Sequence, residues 1–108
     1  MRSSQVISVL KGGSVLMEYP FKVHFRQGDG QIAISVPKRN FKRAVWRNLV
    51  RRRIREAYRL QVQEYPAAGR FDLLIVYVAK QIEDYKVIES NVAAILEKIG
   101  GMASDKVD

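Results

Sequence analysis

A chain of 108 residues with 47% hydrophobic content and a net charge of +8 is long enough for one domain with a modest core, and too apolar for wholesale disorder. It contains no cysteine, which excludes a disulfide framework and a thiolate zinc site, and no run near the ~20 apolar residues that span a bilayer. No signal-peptide pattern opens it, so a cytoplasmic protein with no membrane partner is expected.

In chain order, Val6, Ile7, Val9 and Leu10 suit a short helix that ends at Gly12-Gly13. From Tyr19 to Arg26 the residues alternate, with Tyr19, Phe21, Val23 and Phe25 on one side and Pro20, Lys22, His24 and Arg26 on the other. That pattern predicts a half-buried strand, with Pro20 near its start where a missing N–H is tolerated. Gln27-Gly28-Asp29-Gly30 has the chemistry of a hairpin turn, and Ile32, Ile34 and Val36 resume the alternation up to Pro37. Two adjacent antiparallel strands are the expectation.

From about Phe41 to Glu64 there is no Gly or Pro, and strong helix formers dominate. At 100° per residue, Trp46, Leu49, Val50, Ile54, Ala57 and Leu60 gather on one broad face. Arg47, Asn48, Arg51, Arg52, Arg55 and Arg59 fall on the opposite arc, within roughly 140° of each other. Arg53 lies inside the apolar arc, where its stem would cover the core and its head reach water. Phe71 to Val78 is a nearly continuous apolar run and predicts a strand covered on both faces. A strand, a long helix and a buried strand in succession form a crossover that sets the two strands parallel. Asp84 then suits the N-cap of a last helix with the apolar stripe Val87, Ile88, Val92, Ile95, Leu96 and Ile99, closed by Gly100-Gly101. The fold class is α+β, about four strands in a mixed sheet with helices against it. A single domain covers residues 1–100, and residues 101–108 form a flexible tail.

The charge is concentrated. Lys38 to Arg59 holds ten of the nineteen Lys and Arg residues in twenty-two positions against one acid, Glu56. The segment therefore carries +9 and the other eighty-six residues −1. Solvated helix faces mix signs and gain from i,i+4 pairs, whereas Arg47, Arg51 and Arg55 repel at successive i,i+4 steps unless an anion neutralises them. A membrane-surface helix needs an apolar face free to enter lipid, and this face is needed by the sheet. Nucleic acid is favoured, because guanidinium groups grip phosphate in two-point contacts and stack on bases. A helix held along one face against a sheet suits structured RNA better than a DNA major groove. For Phe21, Phe25 and Tyr77 core packing is the safer account, with stacking on unpaired bases as the alternative.

A protein-borne catalytic centre is not legible. The one histidine, His24, falls on the polar side of its strand with no carboxylate placed to orient it. The eleven acids are scattered, no Gly-rich phosphate loop follows a strand, and no metal-ligand or catalytic set stands out.

Ile34-Ser35-Val36-Pro37-Lys38-Arg39, followed by the run from Ala44-Val45-Trp46-Arg47-Asn48-Leu49 to Arg59, resembles the signature of the bacterial ribonuclease P protein subunit. That signature is a strand ending in Ser-Val-x-Lys-Lys/Arg, then a helix with an Arg-Asn-Arg motif. The Tyr-Pro-Phe strand start, the apolar strand after the basic helix and the closing amphipathic helix agree with it, over roughly Val6 to Ile99. The resemblance implies a left-handed crossover, where right-handed ones are the rule. It implies a subunit that binds the ribonuclease P catalytic RNA, in a holoenzyme that removes the 5′ leader of precursor tRNA by Mg²⁺-dependent hydrolysis. The Mg²⁺ is then held through the RNA, and no obligate protein partner is expected. Position by position, Arg47, Asn48, Arg51, Arg52 and Arg55 match the RNA-binding helix, and Lys38 and Arg39 the basic pair before it. Lys42 and Arg43 join them by position between the two. Leu10, Phe25 and Lys80 sit near positions that bind the single-stranded leader. Leu49 replaces the third residue of the Arg-Asn-Arg motif, and Val6 and Leu10 stand near the aromatic positions of a first helix expected to be shortened. The alternative is a general RNA- or DNA-binding module such as a ribosomal protein.

Overall fold

The computed structural model describes residues 12–107, with side chains as far as Gly101. The helix expected over Val6–Leu10 therefore lies outside the described residues. Four strands form one sheet: β1 (Ser14–Glu18), β2 (Phe21–Gln27), β3 (Ile32–Ser35) and β4 (Phe71–Tyr77), in the order β1-β2-β4-β3. Two helices, α1 (Ala44–Gln61) and α2 (Tyr85–Val107), pack on one face of it, and 3₁₀ turns at Val62–Glu64 and Ala68–Arg70 carry the chain from α1 to β4.

β4 occupies the centre because it is the most apolar segment. Its neighbours are β2, antiparallel with Phe21 opposite Tyr77, and β3, parallel with Ile34 opposite Ile75. The parallel pair joined by α1 agrees with the crossover that the sequence predicts. The expected β2–β3 hairpin does not form: the two strands run in opposite directions, but β4 lies between them. The turn between β2 and β3 closes around the start of β4 instead. The Asp72 carboxylate accepts the N–H groups of Asp29 (3.1 Å) and Gln31 (3.0 Å), and Gly28 N–H donates to the Arg70 carbonyl (2.9 Å). This approach is close enough to require glycine. A Cβ on Gly28 would lie 2.3 Å from Asp72 Oδ2, and Gly30, at φ +84°, would put one 2.1 Å from the Gly69 carbonyl oxygen.

The hairpin that does form joins β1 to β2 through Tyr19-Pro20, a two-residue loop with a cis peptide bond. Tyr19, expected in the strand, is 62% exposed in this loop. β1 escaped the sequence reading because only its parity against β2, with Leu16 opposite Val23, makes it a half-buried strand.

The core lies between the sheet and the helices. Phe21, Val23 and Phe25 of β2 and Phe71, Leu73, Ile75 and Tyr77 of β4 meet Val50, Ile54, Ala57 and Tyr58 of α1 and Ile88, Val92, Ile95, Leu96 and Ile99 of α2. Trp46 (43% exposed) and Leu60 (54%) are not part of it, nor is Val87. The buried stripe of α1 spans only Val50 to Tyr58, about 12 Å of helix, and the ends overhang the sheet. β4 is covered by helices on one face; on the other, Asp72 and Val76 remain half-exposed. α1 also starts later than predicted, because Phe41 turns into the core and leaves Lys42 and Arg43 in the loop.

Asp84 begins α2, its carbonyl accepting the N–H groups of Val87 and Ile88 at 3.1 Å. Gly100-Gly101 does not end this helix, which continues to Val107. Neither glycine takes the left-handed conformation that closes a helix, and inside a helix a glycine costs only about 1 kcal/mol relative to Ala. Glu18 of β1 and Lys98 of α2 form a salt bridge that ties the edge strand to the last helix.

Ile54 is fully buried at the middle of the α1 stripe. Replacing it with Ala should lower unfolding free energy by roughly 2–5 kcal/mol, read from the urea midpoint at unchanged slope.

Candidate nucleic-acid interface

Packing fixes how α1 presents its cations. With Val50, Ile54, Ala57 and Tyr58 against the sheet, Asn48, Arg52, Arg55 and Arg59 project from the opposite side within about 60° of each other, and all four are exposed. The expected arc of guanidinium groups divides at this point. Arg47 is drawn back: its Nη1 donates to the carbonyls of Phe41 (2.7 Å) and Lys42 (3.0 Å), holding the β3–α1 loop onto the first turn. Arg51 is half-buried beside it and donates to Asn48 Oδ1 at 3.1 Å, which orients the amide. Arg59 pairs with Glu56 at 2.7 Å. Arg53 does not extend into water; it donates to the Glu83 carbonyl at 2.8 Å and joins α1 to the β4–α2 loop.

Six of the ten cations remain exposed with no acidic partner among the described residues: Lys38, Arg39, Lys42, Arg43, Arg52 and Arg55. The first four surround the start of α1, whose N-cap, Arg43, supplies no side-chain bond and whose first turn has no acid. The positive helix end and four cations therefore reinforce one another, with the ridge of Arg52 and Arg55 continuing along the axis. Such a surface attracts polyanions electrostatically, and its planar donors suit phosphate.

At the C-terminal end of β4 the β3–α1 loop forms a cleft of about 470 Å³, lined by Pro37, Arg39, Asn40, Val76, Tyr77, Val78 and Lys80. A second, of about 460 Å³, shares Val78 and Lys80 and adds Tyr19 and Gln81. The structure thus brings two sequence-selected residues, Arg39 and Lys80, to one groove. It does not bring Phe25 there. Phe25 is 5% exposed on the helix side of the sheet, edge-on to Phe71 with ring centroids 6.0 Å apart, so neither ring face is open to a base. Phe21 and Tyr77 are fully buried and are likewise removed as stacking platforms. The Tyr77 hydroxyl instead donates to the Gln81 carbonyl (2.6 Å) and accepts the Glu83 N–H (3.0 Å). Leu10 lies outside the described residues.

The sequence reading overlooked the sheet face opposite the two helices, on which Leu74 is nonetheless buried. Val15, Met17, Lys22, His24, Leu74 and Val76 share it, in the cross-strand rows Val15–His24–Leu74 and Met17–Lys22–Val76. The even-numbered positions of β2 carried the signal, a basic alternation opposite an apolar one. Burial and the Lys22 ammonium lower the pKa of His24 below its usual value.

The family profile described as Ribonuclease P matches residues 2–100. The chain belongs to the Ribonuclease P family. A ribonuclease P protein component of Porphyromonas gingivalis is 29% identical over 110 residues, covering 90% of this chain and 79% of the relative. That of Coxiella burnetii is 32% identical over 66 residues, covering 58% and 52%. Among solved structures, the RNase P protein of Thermotoga maritima superposes with a TM-score of 0.78 at 21% identity, over 91% of this chain and 94% of that one. The Staphylococcus aureus protein gives 0.74 at 18% identity, over 91% of each. The four-stranded mixed sheet with its basic crossover helix is thus the fold of ribonuclease P proteins.

The division of the arginines predicts different outcomes for the two groups. Arg52→Ala with Arg55→Ala should leave stability unchanged, weaken binding to a structured RNA, and flatten log K against log salt by about one unit per lost phosphate contact. Arg47→Ala should instead lower the melting temperature by loosening the β3–α1 loop. For His24, the unfolded chain binds more protons once pH falls below about 6.5, so stability is present above that value and declines on acidification through it. His24→Gln should remove that part of the decline in a series of melts between pH 5 and 8.

Proposed function

We propose that this chain is the RNA-binding subunit of a ribonuclease P holoenzyme, gripping the catalytic RNA with α1 and assisting removal of the 5′ leader from precursor tRNA. The observation that carries this is the unneutralised surface of Lys38, Arg39, Lys42, Arg43, Arg52 and Arg55 in a chain of this family. Asn48, oriented by Arg51, adds a group that donates and accepts at a base or sugar edge. The hydrolytic chemistry is assigned to the RNA. Among the described residues no group of three or more His, Asp or Glu could hold a metal ion. Mg²⁺ is accordingly proposed to sit with RNA oxygens, and no reaction step is routed through the protein.

The leader of the precursor is proposed to pass the groove of Arg39, Lys80 and Tyr19 and the adjoining sheet face. Its support is the basic, partly apolar lining of that groove, which suits an unpaired strand. Phe25 has no part in this path. Among the described residues no helix is long and apolar enough to cross a membrane, and the cytoplasm is proposed as the site of action.

Reconstitution tests the proposal. Added to a bacterial ribonuclease P RNA, the chain should lower the Mg²⁺ concentration needed to cleave precursor tRNA at the mature 5′ end, and Arg52→Ala with Arg55→Ala should reverse much of that gain. Cleavage with an unchanged Mg²⁺ requirement would leave only a general RNA-binding module. Lys80→Ala should weaken binding of precursor tRNA with a leader and leave mature tRNA unaffected.

A further inference from the structure

The outward surface of α1 is not uniformly basic. In its first turns Val45 is 60% exposed, Trp46 is exposed and Leu49 is half-buried. Val45 and Leu49 stand at i,i+4 and Trp46 and Leu49 at i,i+3, so the three make one patch. Arg52 follows Leu49 at i+3, which makes the patch continuous with the arginine ridge. The indole packs against no other ring among the described aromatic pairs, and none of the three residues belongs to the core. A surface built only for phosphate has no use for an exposed Val-Trp pair. Leu49 extends the patch at the position where the helix motif leads one to expect a third polar or charged residue.

Resting on the assignment of α1 to ribonuclease P RNA, we propose that Trp46, flanked by Val45 and Leu49, stacks on a nucleobase that this RNA leaves unstacked. The ridge then holds phosphates while the patch holds one base face beside them. Charge selects this occupant. A polyanion is drawn to the cations around the patch, whereas a second copy of the chain would bring +8 against +8. An indole accepts any base because every base has a π-face, and losing one such stack costs on the order of tenfold or more in affinity. Stacking releases no counterions, so its loss leaves the salt dependence unaltered.

Trp46 is the chain's one tryptophan, so its emission reports this site alone. Titration with a ribonuclease P RNA should quench that emission in step with binding measured separately by filter retention. Trp46→Ala should weaken binding about tenfold at an unchanged salt slope, and Trp46→Phe should recover part of the loss. Leu49→Arg should steepen the slope by about one unit. Retention of the RNA with unquenched emission and wild-type affinity for Trp46→Ala would overturn the proposal and leave the RNA-binding assignment standing. Absence of RNA retention by the wild-type chain would remove both. An emission shift that follows protein concentration without RNA would assign the patch to self-association and overturn the proposal as well. Because Trp46 lies outside the core, Trp46→Ala should melt as the wild type does. A lowered melting temperature shared by Trp46→Phe would make the residue structural.

Discussion

The rest of the structure depends on the placement of β4. A strand reading Phe-Asp-Leu-Leu-Ile-Val-Tyr has no solvent-tolerant edge, so it must be paired on both sides and covered by both helices on one face. Inserting it between β2 and β3 does both, at the cost of breaking what local sequence presents as a hairpin. Asp72 makes the insertion possible. Its carboxylate satisfies the two N–H groups that the β2–β3 turn would otherwise leave unpaired, and Gly28 and Gly30 admit the close approach. Once β4 is central and parallel to β3, α1 runs from the end of β3 across the helix side of the sheet back to the start of β4. The direction of its basic face follows from that route.

That route also explains why ten cations in one segment do not act as ten equivalent charges. Arg47 and Arg53 end on backbone carbonyls at opposite sides of α1, one holding the loop before the helix and the other the loop before α2. Arg59 is matched by Glu56. Arg47 ties the helix ahead of the short stripe from Val50 to Tyr58 and Arg53 ties it beside that stripe, whereas the Arg59–Glu56 pair stays within the helix. Fixing it matters for binding, because a ridge whose spacing is set before the RNA arrives loses less conformational freedom on association. Structural and binding arginines are thus two parts of one device.

The periodic features were legible in the sequence. The long amphipathic helix, its basic outer face, the parallel crossover and the buried stripe of α2 all follow from residue spacing. Strand adjacency was not, since alternation reports which face a strand buries and is silent on its neighbour. Asp72 was the one available clue, a lone acid opening an apolar run near a Gly-Asp-Gly turn. Helix ends were misjudged for a related reason: a wheel assigns Trp46 and Leu60 to the core by angle, but the sheet beneath α1 is shorter than the helix. The candidate site was legible in the sequence where it consists of exposed charge on α1 and illegible where a residue's facing depends on sheet parity. Phe25 has odd parity and faces the helices, whereas Lys22 and His24 have even parity and face outward.

Parity also gives the molecule two cation-bearing surfaces instead of one. The ridge of Arg52 and Arg55 points away from the sheet on the helix side, and Lys22 and His24 lie on the other side of the same sheet. They are joined at one end, where Arg39 and Lys80 line the groove at the end of β4. Under the proposed function, a rigid RNA resting on the ridge could not also lie flat on the opposite face, but a single strand leaving it could turn around that end. On the proposed function, separating a structured RNA from an unpaired strand would require no second domain. It follows from an α-helix and a β-sheet packed in two layers, with cations on both outer faces and at the end that connects them.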